Sequence, residues 1–292
     1  MVVTREYLMA LLMGLLVTFL WSTSYVLVKI GLHEVPPLTF AAYRYIIASA
    51  ALFILTVFTG GLGATTTRDL PKLVFLGLTG YSVAQGLQYV GLYYLPAVTV
   101  TFILNFTPIW VLLLTRILFR EFPVPYQFGG MLLTLLGAYL FFRVPLSGTD
   151  LRGIVLTLFS GLGWATYMVS IRAFLKKYRL TPLTLTSFSM FFGAIPLLAL
   201  ALLIEGPVAV SLSKWAIILW LSLVNTAFAF VLWNHVLKKI RAFELSILQN
   251  TMLIQIGVLA FTFLGEDLTA MKVIAMAIVF LGVLIVQLTK PK

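Results

Sequence analysis

The residues of this chain that could do chemistry are polar side chains set inside long apolar runs. Tyr81, Gln85, Gln88 and Tyr89 follow one another at i, i+4, i+7 and i+8, a spacing that places them on one face of a helix. Thr101 and Asn105 stand four apart, with Pro108 close behind; Ser246, Gln249 and Asn250 repeat the pattern later, and Asn225 stands in a run of its own. Polar groups in hydrocarbon are costly, so each either bonds a neighbouring helix or faces a cavity. A cavity so lined would recognise a solute through hydrogen bonds. Pro108 frees a carbonyl at mid-depth, as a solute ligand or a hinge. Arg44, about six residues into its helix, either binds a solute carboxylate or snorkels outward along its own stem. Trp21 and Trp164 sit near the middle of their runs, with Tyr25 and Tyr167 about one turn on, and would wall a cavity or simply pack.

Absences narrow the chemistry. All nine acidic residues lie near expected helix ends, so no carboxylate is available at mid-depth to relay protons or hold sodium. No Gly-x-x-x-x-Gly-Lys-Ser/Thr loop is present to bind a nucleoside triphosphate. There is no cysteine, and the two histidines, His33 and His235, are far apart, so neither a cofactor nor a metal site is expected. The paired carboxylates or matched nucleophile and base of an intramembrane enzyme are also missing.

These residues must be positioned by membrane helices. The 292 residues are 61% hydrophobic and 10% charged, against about 25% charged in a soluble domain. Ten apolar segments separate, at 8–31, 38–58, 72–93, 96–118, 125–142, 153–175, 183–204, 214–236, 243–264 and 270–289. Each is near the length needed to cross roughly 30 Å of hydrocarbon. Turn residues mark the gaps, among them Pro36-Pro37, Gly60-Gly61, Ser147-Gly148, Thr181-Pro182 and Gly206-Pro207. The net charge of +11 does not indicate nucleic acid, because the basic residues sit at helix ends. With the N-terminus in the cytoplasm, fourteen Lys and Arg fall on the inner side and five on the outer: Lys29, Arg143, Arg152, Lys214 and Lys272. That bias places both termini of a multi-pass inner-membrane protein in the cytoplasm.

The chain is also written twice. Trp21-Ser22-Thr23 recurs as Trp164-Ala165-Thr166, and Lys29 as Arg172. Pro37-Leu38-Thr39 recurs as Pro182-Leu183-Thr184, Ala97 as Ala242, Asn105 as Asn250, Glu121 as Glu266 and Gly137 as Gly282, each pair 145 apart. Residues 1–145 and 146–292 are the two copies. Five helices per copy is an odd number, so the second copy must be inverted in the membrane. The expected fold is therefore all-α and integral to the membrane, with ten transmembrane helices in two inverted five-helix repeats. The fifth and tenth helices are nearly free of polar residues and would face lipid or a second subunit. Gly129, Gly130 and Gly137 would allow close contact there, leaving a dimer open.

Two segments carry a resemblance. Leu118-Phe119-Arg120-Glu121, with Gln127-Phe128-Gly129-Gly130 and Leu136-Gly137-Ala138-Tyr139-Leu140, is one; Leu264-Gly265-Glu266-Asp267-Leu268-Thr269, with Leu281-Gly282-Val283-Leu284-Ile285, is the other. Both resemble the closing motif of EamA-type repeats in the drug/metabolite transporter superfamily. The first departs from it, with Arg120 where a glycine usually stands, so the turn there is expected to differ. The resemblance implies ten helices, both termini inside, and export of small metabolites, often amino acids.

The reading that follows is a secondary transporter in the lipid bilayer, working by alternating access on a small-molecule substrate. Amino acids, aromatic ones included, suit a lining of amides and rings. Nucleosides, organic acids and drugs stay open as substrates, and a lipid-handling or partner-dependent membrane subunit as a different role.

Overall fold

A computed structural model describes residues 5–61, 66–95, 97–120, 122–142, 150–177, 180–264 and 269–288. Glu121, Arg143, Ser147, Gly148, Gly265, Glu266, Asp267 and Leu268, named above, lie outside that set, as does the junction at 145/146. Among the described residues every regular element is a helix. The first half runs α1 (Arg5–Gly31), α2 (Pro37–Phe58), α3 (Leu70–Gly77), a π-helical turn (Leu78–Val83), α4 (Ala84–Tyr94), α5 (Ala97–Leu104), α6 (Thr107–Phe119) and α7 (Pro125–Phe142). The second half runs α8 (Leu151–Lys177), α9 (Pro182–Ile204), α10 (Leu212–Ser222), a π-helical turn (Leu223–Phe228), α11 (Ala229–Lys239), α12 (Ala242–Gln249), α13 (Met252–Leu264) and α14 (Ala270–Leu288).

Among the described residues, eight helical stretches are long and apolar enough to cross a membrane. The other two expected segments, 72–93 and 125–142, are helical but are not among the eight. The first carries Tyr81, Gln85, Gln88 and Tyr89, and the second opens on Pro125-Tyr126-Gln127.

The 145-residue register extends to details that no composition rule anticipates. The π turns start at 78 and 223, and the next helices at 84 and 229. The chain then breaks at 105–106 and again at 250–251. In the first half Pro108 lies in the opening turn of α6, where a missing N–H costs nothing. The second half has Leu253 at that position and breaks all the same. Tight i→i−3 bonds, from Phe106 to Ile103 and from Thr251 to Leu248, close both turns. Proline is therefore not the common cause of the break.

Contacts between loops define the two ends of the bundle. At one end, Lys29 Nζ donates to the carbonyls of Leu92 (2.7 Å) and Leu95 (3.0 Å). There the Glu205 carboxylate accepts from the Leu38 and Thr39 backbone N–H groups at 2.9 and 2.7 Å. It thereby caps α2, whose own N-cap, Pro36, has no acceptor side chain. At the other end, Arg241 and Glu244 pair at 2.6 Å, Gln127 bonds both, and Gln287 donates to the Glu244 carbonyl.

Close packing rests on small residues, since lipid gives helices no hydrophobic reason to associate. Gly130 and Gly137 of α7 and Gly282 of α14 are used within the chain, correcting the expectation of a lipid-facing or subunit-facing surface for them, whereas Gly129 is exposed. A Cβ on Gly130 would lie 2.8 Å from the Gly282 carbonyl, and one on Gly137 2.9 Å from the Ala275 carbonyl. The departure at Arg120 also resolves differently from expectation. Arg120 keeps the left-handed conformation a glycine would adopt there (φ 54°), the only non-glycine with positive φ among the described residues.

Candidate functional site

A cavity opens between α1, α2, α4, the α5–α6 break, α8, α11 and the α12–α13 break. Its empty space, counted out to its open mouth, is about 640 Å³.

Eight of the residues read from the sequence line it: Trp21, Tyr25, Arg44, Gln85, Gln88, Tyr89, Trp164 and Gln249. The breaks explain how α5–α6 and α12–α13 contribute, since they bring Leu104, Thr107 and Met252 into the wall. Each glutamine is held by one end of its amide. Tyr45 donates to Gln85 Oε1 at 2.8 Å, Gln88 Nε2 donates to the Tyr25 hydroxyl at 3.0 Å, and Trp164 Nε1 donates to Gln249 Oε1 at 2.9 Å. The second amide group of each makes no hydrogen bond within the described residues. Rings complete the lining. Trp21 and Trp164 meet edge to face at 5.6 Å, and Phe230 lies 5.2 Å from Trp21 and 5.8 Å from Trp164.

Arg44 faces this cavity and does not snorkel: it is 4% exposed. Its Nε donates to Thr226 Oγ1 at 2.5 Å and its Nη1 to the Tyr89 hydroxyl at 2.7 Å. Its Nη2 donates to the Asn225 carbonyl at 3.2 Å and to Ser24 Oγ at 3.5 Å.

The remaining candidates are bound to other helices and do not line the cavity. Tyr81 and Tyr167 join hydroxyl to hydroxyl at 2.8 Å, and Asn234 donates to Tyr167 (2.9 Å) and to Thr186 (2.8 Å). This buried lattice lies beyond Trp164 and Phe230, toward the Arg241–Glu244 end. Asn225 ties α11's preceding turn to α1 through Leu20, Thr23 and Ser24. Ser246 bonds back to the Phe243 carbonyl, Asn105 to that of Thr101, and Asn250 across to that of Asn105 at 3.1 Å. Asn250 thus links the two helix breaks. Thr101 touches the Tyr25 hydroxyl and so stands behind the wall. Pro108 follows the break without entering the cavity. Ser24, Val28, Tyr45, Leu92, Ser160 and Phe230 also line the site; nothing in the sequence sets them apart from packing residues.

The EamA-like transporter family model matches residues 8–143 and again 151–288. An uncharacterized transporter, YyaM, of Bacillus subtilis is 27% identical over 85% of this chain and 83% of its own. A probable amino-acid metabolite efflux pump of Salmonella typhimurium is 23% identical over 94% and 93%. A probable terminal-alkyne amino-acid exporter of Streptantibioticus cattleyicolor is 24% identical over 91% and 89%. A solved crystal structure covers 98% of both chains with a TM-score of 0.81 at 20% identity, a likeness of fold. Two family matches in tandem, over an all-helical multi-pass chain with a polar cavity at its centre, lead to one assignment: the chain belongs to the EamA-like transporter family.

Proposed function

We propose that this protein is a secondary transporter that exports small metabolites, amino acids foremost, across the cell membrane by alternating access. In this reading ten helices form two inverted five-helix repeats, both termini are cytoplasmic, and the central cavity is the solute site. The observation that carries it is the cavity itself. It is enclosed by matched elements from both halves, and unused amide groups of Gln85, Gln88 and Gln249 stand among aromatic walls. The Tyr81–Tyr167–Asn234 lattice closes one end. The efflux pump and exporter named among the relatives support amino acids as the substrate class.

The test is counterflow in proteoliposomes containing the purified protein, with labelled amino acids, nucleosides and organic acids, with and without a pH gradient. Saturable exchange of amino acids is the expected result. Absence of exchange for every class, from protein that melts cooperatively, would move the role to lipid handling or to a partner-dependent subunit.

A further inference from the structure

We infer that Arg44 is the anchor for the solute's carboxylate, and that the solute class is a monocarboxylate with an apolar body, whether or not it also carries an ammonium group. The inference rests on the transporter reading and names what its cavity selects.

The argument is one of charge. Arg44 is buried, and every partner it has is neutral: it hydrogen-bonds three hydroxyls and one carbonyl, and its guanidinium carbon lies 5.8 Å from the centre of the Tyr45 ring. None of the ion pairs among the described residues includes it, and no acidic residue lines the cavity. A guanidinium carries five N–H donors, and these bonds occupy four, leaving one on Nη1 beside the Tyr89 hydroxyl. A buried charge without a counter-charge is costly, and its pairing is correspondingly favourable. A carboxylate entering the cavity would supply the missing charge through charge-assisted hydrogen bonds, about twice as strong as neutral ones. An ammonium group finds no carboxylate there. It meets ring faces, hydroxyls and amide oxygens, all neutral, next to a fixed positive charge. The cavity therefore recognises the acid end of an amino acid by charge and merely accommodates the amine.

The second half of the chain sharpens this. Position 189, which stands 145 residues after Arg44, is a buried serine. The charge is thus specific to one wall and is no requirement of the repeated architecture.

Four probes of the same ring and chain length test the idea: phenylalanine, 3-phenylpropionate, 3-phenylpropionamide and phenethylamine. Binding is read by quenching of tryptophan fluorescence and by thermal shift in detergent, and transport by counterflow. The two carboxylates should bind comparably, and the neutral amide and the amine about tenfold more weakly or worse. Arg44→Gln should remove the preference for carboxylate over amide, and Arg44→Lys should keep part of it. The amide comparison uses the unaltered protein, so it stands even if Arg44→Gln fails to fold. Amide or amine binding equal to 3-phenylpropionate overturns the inference. If phenethylamine alone exchanges in counterflow, the carrier reading survives and the carboxylate anchor falls. If 3-phenylpropionate binds but nothing exchanges, the anchor stands and the carrier reading falls.

Discussion

Two clusters at matching positions in the two halves are made of opposite materials. Arg44, Tyr89 and Thr226 correspond at 145 residues to Ser189, Asn234 and Tyr81, and Ser24 corresponds to Tyr167 at the 143-residue offset of the two tryptophans. The first set gathers around a guanidinium at the cavity edge. The second gathers around two tyrosine hydroxyls, is fully buried, and seals the far side. Duplicated backbones therefore do not imply duplicated chemistry. One cluster carries a fixed charge, and the other carries none.

The hardest way to break this comparison is to move the charge. Ser189→Arg buries a cation against Tyr81 and Tyr167 with no acid nearby, and should cost about 3–5 kcal/mol of stability. Melting in detergent would show it; an unchanged melting temperature would mean the second cluster can open to admit a charge. A gentler intervention weakens the seal. Tyr167→Phe keeps the ring but leaves the Tyr81 hydroxyl and the Asn234 amide without their shared partner, a loss of about 1–3 kcal/mol. On the alternating-access reading this shifts the equilibrium toward opening at that end by about 5- to 150-fold. A cysteine introduced at Ser189, in a chain with no other cysteine, should then react faster with a maleimide. An unchanged rate would show that the hydroxyl lattice does not hold the seal. Smaller still is the effect at the end of α6. Arg120→Gly relieves a left-handed arginine and should raise stability by about 1 kcal/mol. A fall in melting temperature would show instead that the arginine side chain is needed there.

Much of the architecture was legible because Pro, Gly and apolar run length carry it. Most helix limits follow those signals; the breaks between α5 and α6 and between α12 and α13 do not. The π turns were not legible. No residue type marks them, and they change which face the downstream residues present. The site was half legible. Gln85 and Asn250 look alike in a sequence: both are amides at mid-depth in apolar runs. Only the structure separates the one that faces a cavity from the one that bonds a neighbouring helix. Val28, Leu92 and Met252, which also line the cavity, are indistinguishable from packing residues until the helices are placed.

Asn105 and Asn250 touch, and they are each other's counterparts, 145 residues apart; Trp21 and Trp164 are a second such pair, in ring contact. On the inverted-repeat reading the halves are related by a two-fold rotation, and a point and its own image under it can meet only beside its axle. On that reading, whatever exchanges the shapes of the two halves leaves this spot nearly still, as the centre of a see-saw stays put while its ends trade height. Bridging Asn105→Cys to Asn250→Cys with a short bifunctional thiol reagent should therefore leave counterflow intact. Arrest of exchange by that bridge would place the pivot elsewhere.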